Sequence, residues 1–386
     1  MIYRTHKKLT LSEIGFGCYS LSGAYGSIDL DSYQRTIHRA YQLGVNFFDT
    51  AEGYGDAEQL LGETVKSFRN KIHLATKVGI REGFKPNLSQ EYIQTACENS
   101  LIALQTDYID LYQIHFDDPG TPVDETVNAL ELLVRQGKIR YYGLGHLPLP
   151  RVEAYLKIGD PFSMLTELNT ITRTALDEIV PACQAHDIGV MAFSVTGRGL
   201  LTGKIDVETT FEANDIRNID PLFQRERLRS GLRVAKKLSD IGKKYGKTST
   251  QVAIAWVLAQ PGVICALTGP STIPHLEENI GGSGWQLAPE DYQSLEIFLL
   301  EEESNLKTAQ LATIRQILSF EITDEPQKRF TDLVYALETA VTLNLVSEDK
   351  ITPIFIDLFG LKNNLDPQSI IELEKIRERL IEIIHI

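Results

Sequence analysis

Three short apolar runs in the first third of the chain each end on an ionisable side chain. Asn46-Phe47-Phe48 leads to Asp49, Leu74-Ala75-Thr76 to Lys77, and Leu111-Tyr112-Gln113-Ile114 to His115, with Tyr54 a few residues after Asp49. Brought together, these four types divide an acid-catalysed step among them. A free phenol titrates near pH ~10, too weak an acid to donate readily at neutrality. An ammonium beside it favours the phenolate and eases the transfer, and Asp49 would pair with Lys77 to keep it charged and aimed. A neutral His115 would hydrogen-bond the reacting oxygen and orient a carbonyl. With no activated Ser or Cys nucleophile beside it, such an acid suits hydride delivery to the carbonyl carbon from a cofactor. Singly, each residue has a plainer reading: a structural Lys-Asp pair, a packed Tyr, a hydrogen-bonded core His. The combination is harder to dismiss.

The elements that must position them are strands of a parallel sheet. From Ile14 to about Gly281, β-branched and aromatic runs alternate with longer amphipathic segments, a βαβα pattern. The expected strands are 14–16, 45–48, 72–76, 109–114, 139–144, 164–168, 190–193 and 263–267, a full complement for a (β/α)8 TIM barrel. The expected helices are 30–43, 57–68, 90–104, 123–135, 175–186 and 228–245, with Gly44, Gly137 and Gly246 as C-terminal breakers. Strand C-terminal ends form the rim on which barrel active sites are assembled, so Asp49, Lys77 and His115 would converge there with Tyr54. Residues 3–11 read as a small hairpin closing the opposite end.

A chain of 386 residues holds one such barrel and an appendage. The division falls at residue 300: 1–300 the barrel, 301–386 an acidic α-helical extension with 9 Lys and Arg against 16 Asp and Glu. There Phe330, Leu333, Val334, Leu337 and Val341 share one helical face, and Ile370, Leu373, Ile376, Leu380 and Ile383 another, the latter opened by Asp366-Pro367.

A formal charge of -14 repels phosphate backbones and anionic membrane surfaces, which excludes nucleic acid and membrane as partners. No segment is long and apolar enough to span a membrane, and the polar opening residues do not read as a secretory signal. Cys18, Cys97, Cys183 and Cys265 are scattered and read as reduced thiols, which places the chain in the cytoplasm. The eight histidines lack metal-ligand spacing, so no metal is expected. Residues 15–20 lack the third glycine of a dinucleotide fingerprint, and 197–204 lacks the first glycine of a Walker loop. Glu52 and Asp56 could pass for a glycosidase pair but find no matching partner on another strand.

The block Phe47-Phe48-Asp49-Thr50-Ala51-Glu52-Gly53-Tyr54-Gly55 with Leu60-Leu61-Gly62-Glu63, the strand Asp107 to His115, and Gln136-Gly137-Lys138-Ile139-Arg140-Tyr141-Tyr142-Gly143 resemble, in order, motifs of the aldo-keto reductases. The resemblance runs from about residue 14 to 286 and implies a metal-free reductase of aldehydes and ketones that prefers NADPH. It makes Asp49, Tyr54, Lys77 and His115 the catalytic set. Phe193 falls where the family stacks an aromatic ring on the nicotinamide; Ser194, Thr196, Gly197, Gly199 and Lys204 fall on the loop that straps the pyrophosphate. Gly269, Ser271, Thr272, His275, Glu278 and Asn279 match the segment around the 2′-phosphate and adenine, and Gly17 is counted with the cofactor-binding residues. The chain departs from the family at the carboxamide grip, where Gly145-His146 replaces Ser-Asn and Leu165 replaces Gln, and at His275, where Arg or Gln is usual. Tyr19, Tyr25, Phe84 and Phe116, on rim loops, are candidates for an aromatic substrate pocket.

Two functions compete. One is an NADP-dependent oxidoreductase acting on a small carbonyl compound, with Tyr54 as the acid. The other is a cofactor-binding regulatory protein that acts through a partner, as the beta subunits of voltage-gated potassium channels do within that family. The extension has three readings: packing on its own barrel, a homo-oligomer interface, or a docking module for another protein.

Overall fold

A computed structural model describes residues 1–80, 85–319, 325–362 and 365–384. Two antiparallel strands open the chain, β1 (Tyr3–His6) and β2 (Leu9–Ser12). Eight parallel strands follow: β3 (Ile14–Gly17), β4 (Phe47–Asp49), β5 (His73–Val78), β6 (Ile109–Ile114), β7 (Ile139–Gly145), β8 (Ser163–Glu167), β9 (Gly189–Phe193) and β10 (Val263–Thr268). They pair in chain order and β10 closes on β3, giving the (β/α)8 barrel.

Alternation decides which side chains fill it. Phe47, Ala75, Leu111, Leu165, Met191, Cys265 and Leu267 form one buried cluster, and Leu9 and Leu11 of the hairpin belong to it. The hairpin therefore plugs the N-terminal end, as expected. Around the strands lie α1 (Leu30–Gln42), α2 (Ala57–Val65), α3 (Gln90–Ala103), α4 (Val123–Arg135), α5 (Leu149–Ile158), α6 (Ile179–Ala185), α7 (Arg225–Tyr245, from Ala235 onward), α8 (Ser249–Leu258) and α9 (Ile273–Ile280).

Two expected helices are shorter than read from the sequence, each for a local reason. Helix α2 ends at Val65 and runs into a 3-10 turn, because Phe68 leaves helical geometry (φ -133°) and stacks on Tyr41 with ring centroids 4.1 Å apart. The segment expected as one helix over 175–186 breaks at Glu178 (φ -132°), and Pro181, which lacks an N–H and crowds the preceding turn, sits in the first turn of α6. Gly44, Gly137 and Gly246 have φ of +90°, +74° and +63°, the left-handed geometry a helix-ending glycine supplies.

By compactness the chain divides into Met1–Lys204 with Ala235–Gln293, and Ile205–Val234 with Ser294–Ile386. The second unit thus holds the extension and also a segment lying between β9 and β10 in the chain. Its helices are α10 (Pro289–Ser319, from Ser294 onward), α11 (Pro326–Thr342), α12 (Glu348–Gly360) and α13 (Ser369–Ile383). Phe330, Leu333, Val334 and Leu337 pack with Ile354, Leu358, Leu373, Ile376 and Leu380 in its core, which uses both expected faces. Just ahead of α13, Asp366 Oδ1 accepts from Gln368 N and Ser369 N, each at 2.9 Å. Arg329, 2% exposed, pairs with Glu374 at 2.8 Å and donates to the Ile317 carbonyl.

Candidate active site

The parallel register puts the ends of β4, β5 and β6 side by side: Asp49 pairs with Ala75, and Lys77 with Gln113. Asp49 is the last residue of β4, Lys77 the next to last of β5, and His115 the first after β6, its N–H held by the Val78 carbonyl at 2.8 Å. Tyr54 comes in from the loop after β4. The four lie between 2% and 9% exposed.

Burial makes each polar contact count. Lys77 Nζ donates to Asp49 Oδ1 and, at 2.8 Å, to the Thr50 carbonyl. Asp49 Oδ2 accepts from Gln113 Nε2 at 3.0 Å. The Lys77 ammonium lies 5.0 Å from the Tyr54 ring centroid, and the Tyr54 hydroxyl is 3.4 Å from His115 Nε2. His115 Nδ1 is buried with no hydrogen-bond partner.

The charge states follow from these contacts. Burial lifts the Tyr54 phenol to about 12, the Lys77 charge pulling it back and Asp49 adding to the lift. It is a neutral donor at physiological pH. Burial, then Lys77 and His146, drive His115 down to about 2, so its imidazole stays neutral. Burial works against the Lys77 charge, but Asp49 and Tyr54 outweigh it and hold the ammonium above the ordinary lysine value. Burial raises the Asp49 carboxyl against the pull of Lys77 and Gln113.

A continuous set of rings surrounds this cluster. Tyr19 meets Tyr54 edge-on at 5.1 Å and Tyr25 at 5.6 Å; on the other side His115 stacks on Phe116 at 4.7 Å. Phe116 in turn stacks on His146 at 4.8 Å, and His146 lies 4.9 Å from Phe193. Of the four expected pocket residues, Tyr19, Tyr25 and Phe116 therefore adjoin the cluster, while Phe84 lies outside the described residues. His146 is exposed at the mouth in a strained left-handed conformation (φ +48°). Gly145 is there because a Cβ would stand 2.8 Å from the Ile114 carbonyl, and Leu165 pairs with it in register.

The expected cofactor residues fall into two segments on the same rim. After β9, Ser194, Gly197, Arg198 and Gly199 all have positive φ in a tight loop whose Gly197 and Gly199 N–H groups donate to the Ser194 and Thr196 carbonyls, and Ser194 Oγ is buried without a partner. Arg198 clasps Glu167 with two bonds of 3.1 and 3.0 Å. After β10, Gly269 faces Gly17, whose carbonyl a Cβ would meet at 3.7 Å, and Thr272 caps α9, accepting from His275 N. Ser271 is half-buried, His275 exposed and Asn279 buried. Lys204 and Glu278 join the two segments by an ion pair at 2.6 Å. Bare glycine backbone at Gly17 and Gly269, an orphaned Ser194 hydroxyl and the N-terminus of α9 suit a phosphate-bearing cofactor.

Sequence reading did not single out Gln113, Glu167 or Arg198. Gln113 was accessible in principle: it precedes His115 by two, so alternation puts both on one face of β6. Among the described residues no group of three His, Cys, Asp or Glu side chains could hold a metal, and no helix is long and apolar enough to cross a membrane. At the barrel's N-terminal end a cavity of about 350 Å³ borders Arg4, Glu13 and Trp285, but Arg4 and Glu13 already satisfy each other at 2.9 Å.

A model described as the Aldo/keto reductase family matches residues 13–299. Aldo-keto reductase YhdN of Bacillus subtilis (strain 168) is 33% identical over 299 residues, which is 75% of this chain and 90% of that protein. The glycerol dehydrogenase AKR11B4 from Gluconobacter oxydans superposes with a TM-score of 0.71 at 30% identity, covering 78% of this chain and 95% of that one. An aldo/keto reductase from Klebsiella pneumoniae in complex with NADP and acetate gives 0.63 at 26% identity, covering 76% and 93%.

Proposed function

Because the chain belongs to the aldo/keto reductase family, an oxidoreductase family that works with nicotinamide cofactors, we propose that it reduces aldehyde or ketone carbonyls to alcohols with NADPH, Tyr54 acting as the general acid. The observation that carries this reading is the contact of the Tyr54 hydroxyl with His115 Nε2 at 3.4 Å beside the buried Lys77–Asp49 pair.

The cofactor, when bound, supplies the hydride. Tyr54 donates its proton to the carbonyl oxygen, and the Lys77 ammonium beside the ring stabilises the phenolate left behind. Asp49, held by Gln113, keeps Lys77 in place and balances its charge. Neutral His115 hydrogen-bonds the same oxygen and fixes the direction from which the carbonyl presents itself. Tyr19, Tyr25 and Phe116 exclude water from the reacting centre and offer flat apolar surface to the substrate.

Phe193, with Gly145 and His146, would border the nicotinamide. Ser194, Thr196, Gly197, Gly199 and Lys204 would hold the pyrophosphate, with Gly17 leaving room for it. Gly269, Ser271, Thr272, His275, Glu278 and Asn279 would take the adenosine end. The Lys204–Glu278 ion pair would tie the pyrophosphate loop to that end, and the NADP-bound Klebsiella pneumoniae relative supports a 2′-phosphate on the ligand.

The test is the change in cofactor absorbance with NADPH and with NADH against a panel of aldehydes and ketones. Saturable turnover favouring NADPH supports the reading. Tight cofactor binding without turnover on the whole panel would sink it, and equal rates with NADH would remove the NADPH preference.

A further inference from the structure

Tyr54 stands between two glycines, Gly53 and Gly55, the latter at φ +59°. Glycine leaves the chain little intrinsic stiffness, so local backbone preference does not fix where the phenol sits. A turn from the Tyr54 N–H to the Ala51 carbonyl at 3.1 Å shapes the loop, and two residues before Tyr54 one carboxylate ties that turn to the neighbouring strand end. Glu52 Oε1 accepts from the backbone N–H groups of Gly79 at 2.8 Å and Ile80 at 3.0 Å. The hydroxyl of Tyr92, on α3, lies 3.1 Å from that same oxygen and 3.1 Å from the Ile80 carbonyl. The Glu52 N–H donates back to the Lys77 carbonyl at 3.3 Å. Residue 52 is thus fastened to both ends of the segment 77–80, whose first member is the lysine that must lie beside the Tyr54 ring.

These bonds are charge-assisted and half-buried, which makes them stronger than ordinary loop contacts. Burial lifts the Glu52 carboxyl above the ordinary glutamate value, the two amides and Tyr92 draw it back, and Glu58 adds to the lift. Asp56, the other acid of the loop, is exposed and makes none of these contacts.

We propose that Glu52 is a positioning residue: by holding the loop 50–55 to the segment 77–80, its carboxylate sets the separation of the Tyr54 phenol from the Lys77 ammonium. The proposal rests on the reductase reading for what that separation serves, and on the geometry alone for the clamp.

The experiment compares Glu52→Ala, Glu52→Gln and Tyr92→Phe in the full chain, with a carbonyl substrate and NADPH. A misplacement of about 1 Å in a reacting group costs up to about 100-fold in rate, so Glu52→Ala is expected to lower kcat about 10- to 100-fold. The KM for the carbonyl and the cofactor Kd should stay within about 3-fold, because only the chemical step is disturbed. The solvent deuterium isotope effect on kcat should rise as proton transfer becomes limiting. Glu52→Gln retains an oxygen that accepts from the same two amides and should return kcat to within about 3-fold of wild type. A Glu52→Ala enzyme with unchanged kcat overturns the proposal, as does a kcat loss without a rise in the isotope effect, or a Glu52→Gln enzyme as slow as the alanine variant. Should Glu52→Ala not fold, Tyr92→Phe decides: a loss of about 2- to 5-fold with the same isotope signature supports the clamp, and no change overturns it. Should the wild type turn over no carbonyl, the reductase reading alone has failed. Crystal structures of wild type and Glu52→Gln or Glu52→Ala then decide the clamp: a Tyr54–Lys77 separation that moves in the alanine variant and not in the glutamine variant supports it, and one that moves in neither overturns it.

Discussion

The Tyr54 hydroxyl and His115 Nε2 stand 3.4 Å apart, and this is the hydrogen bond His115 makes through its ring, since Nδ1 is buried without a partner. The two side chains thus face one point, where a carbonyl oxygen would take a proton from one and a hydrogen bond from the other. Replacing Tyr54 by Phe keeps the ring and its edge contacts with Tyr19 and His115 and removes the hydroxyl, its proton and its bond to His115 Nε2. Turnover is expected to fall by about 100- to 10,000-fold, the range for losing a general acid, with cofactor affinity unchanged by fluorescence titration. Full activity in Tyr54→Phe would remove the phenol from the mechanism.

His115 also makes stability depend on pH. Its folded value is near 2 against 6.5 unfolded, so below pH 6.5 the unfolded chain binds a proton that the folded chain refuses. Stability from this residue is complete above pH 6.5 and drains as pH falls toward the folded value. By about pH 4.5 roughly 2–3 kcal/mol should be lost through it. Denaturant titrations across that range should show a shallower fall for His115→Asn than for wild type. Parallel curves would mean that the ring reaches water.

Lys77 and Asp49 are buried as a pair, and removing one charge strands the other. Lys77→Met is expected to cost about 3–5 kcal/mol in unfolding free energy. Adding Asp49→Asn should restore a substantial part of that stability but none of the activity. If the double variant is as unstable as the single one, the cost lies in packing rather than in charge.

In the second unit Arg329 plays a comparable part with Glu374 and the Ile317 carbonyl. Arg329→Ala leaves Glu374 with Arg377 as its partner at 2.6 Å but strips the Ile317 carbonyl of its donor, with a cost of about 1–3 kcal/mol. Hydrogen exchange should accelerate across α11 and α13 and stay unchanged in β4 to β6. Acceleration in the strands as well would show that the two units unfold as one.

The candidate cluster was legible because barrel strands present ionisable residues at their C-terminal ends, where the apolar alternation stops. Asp49, Lys77 and His115 carry that signal plainly. Helix α8 does not: Ser249 to Leu258 is buried on every side, so no amphipathic period marks it. Helices α5 and α9 begin on Leu149-Pro150 and Ile273-Pro274 and are short, which let them pass as loops. Glu52 was visible as an acid but not as a clamp, since its partners Gly79 and Ile80 offer only backbone N–H groups. Such a contact leaves no side-chain trace in the sequence. The division at residue 300 missed the segment 205–234 for a related reason: compactness is a property of packing, and no composition change announces it.

That segment has a practical meaning for anyone shortening the gene. A stop codon after Leu300 would not release a finished barrel from a dispensable tail. It would take Asp332 from Arg225, Tyr335 from Glu226, and Glu302 from Ser230 and Arg233, stranding a charged stump midway along the chain. Tail and insert form one folded body and share one fate, so a shortened version must lose both stretches together or keep both.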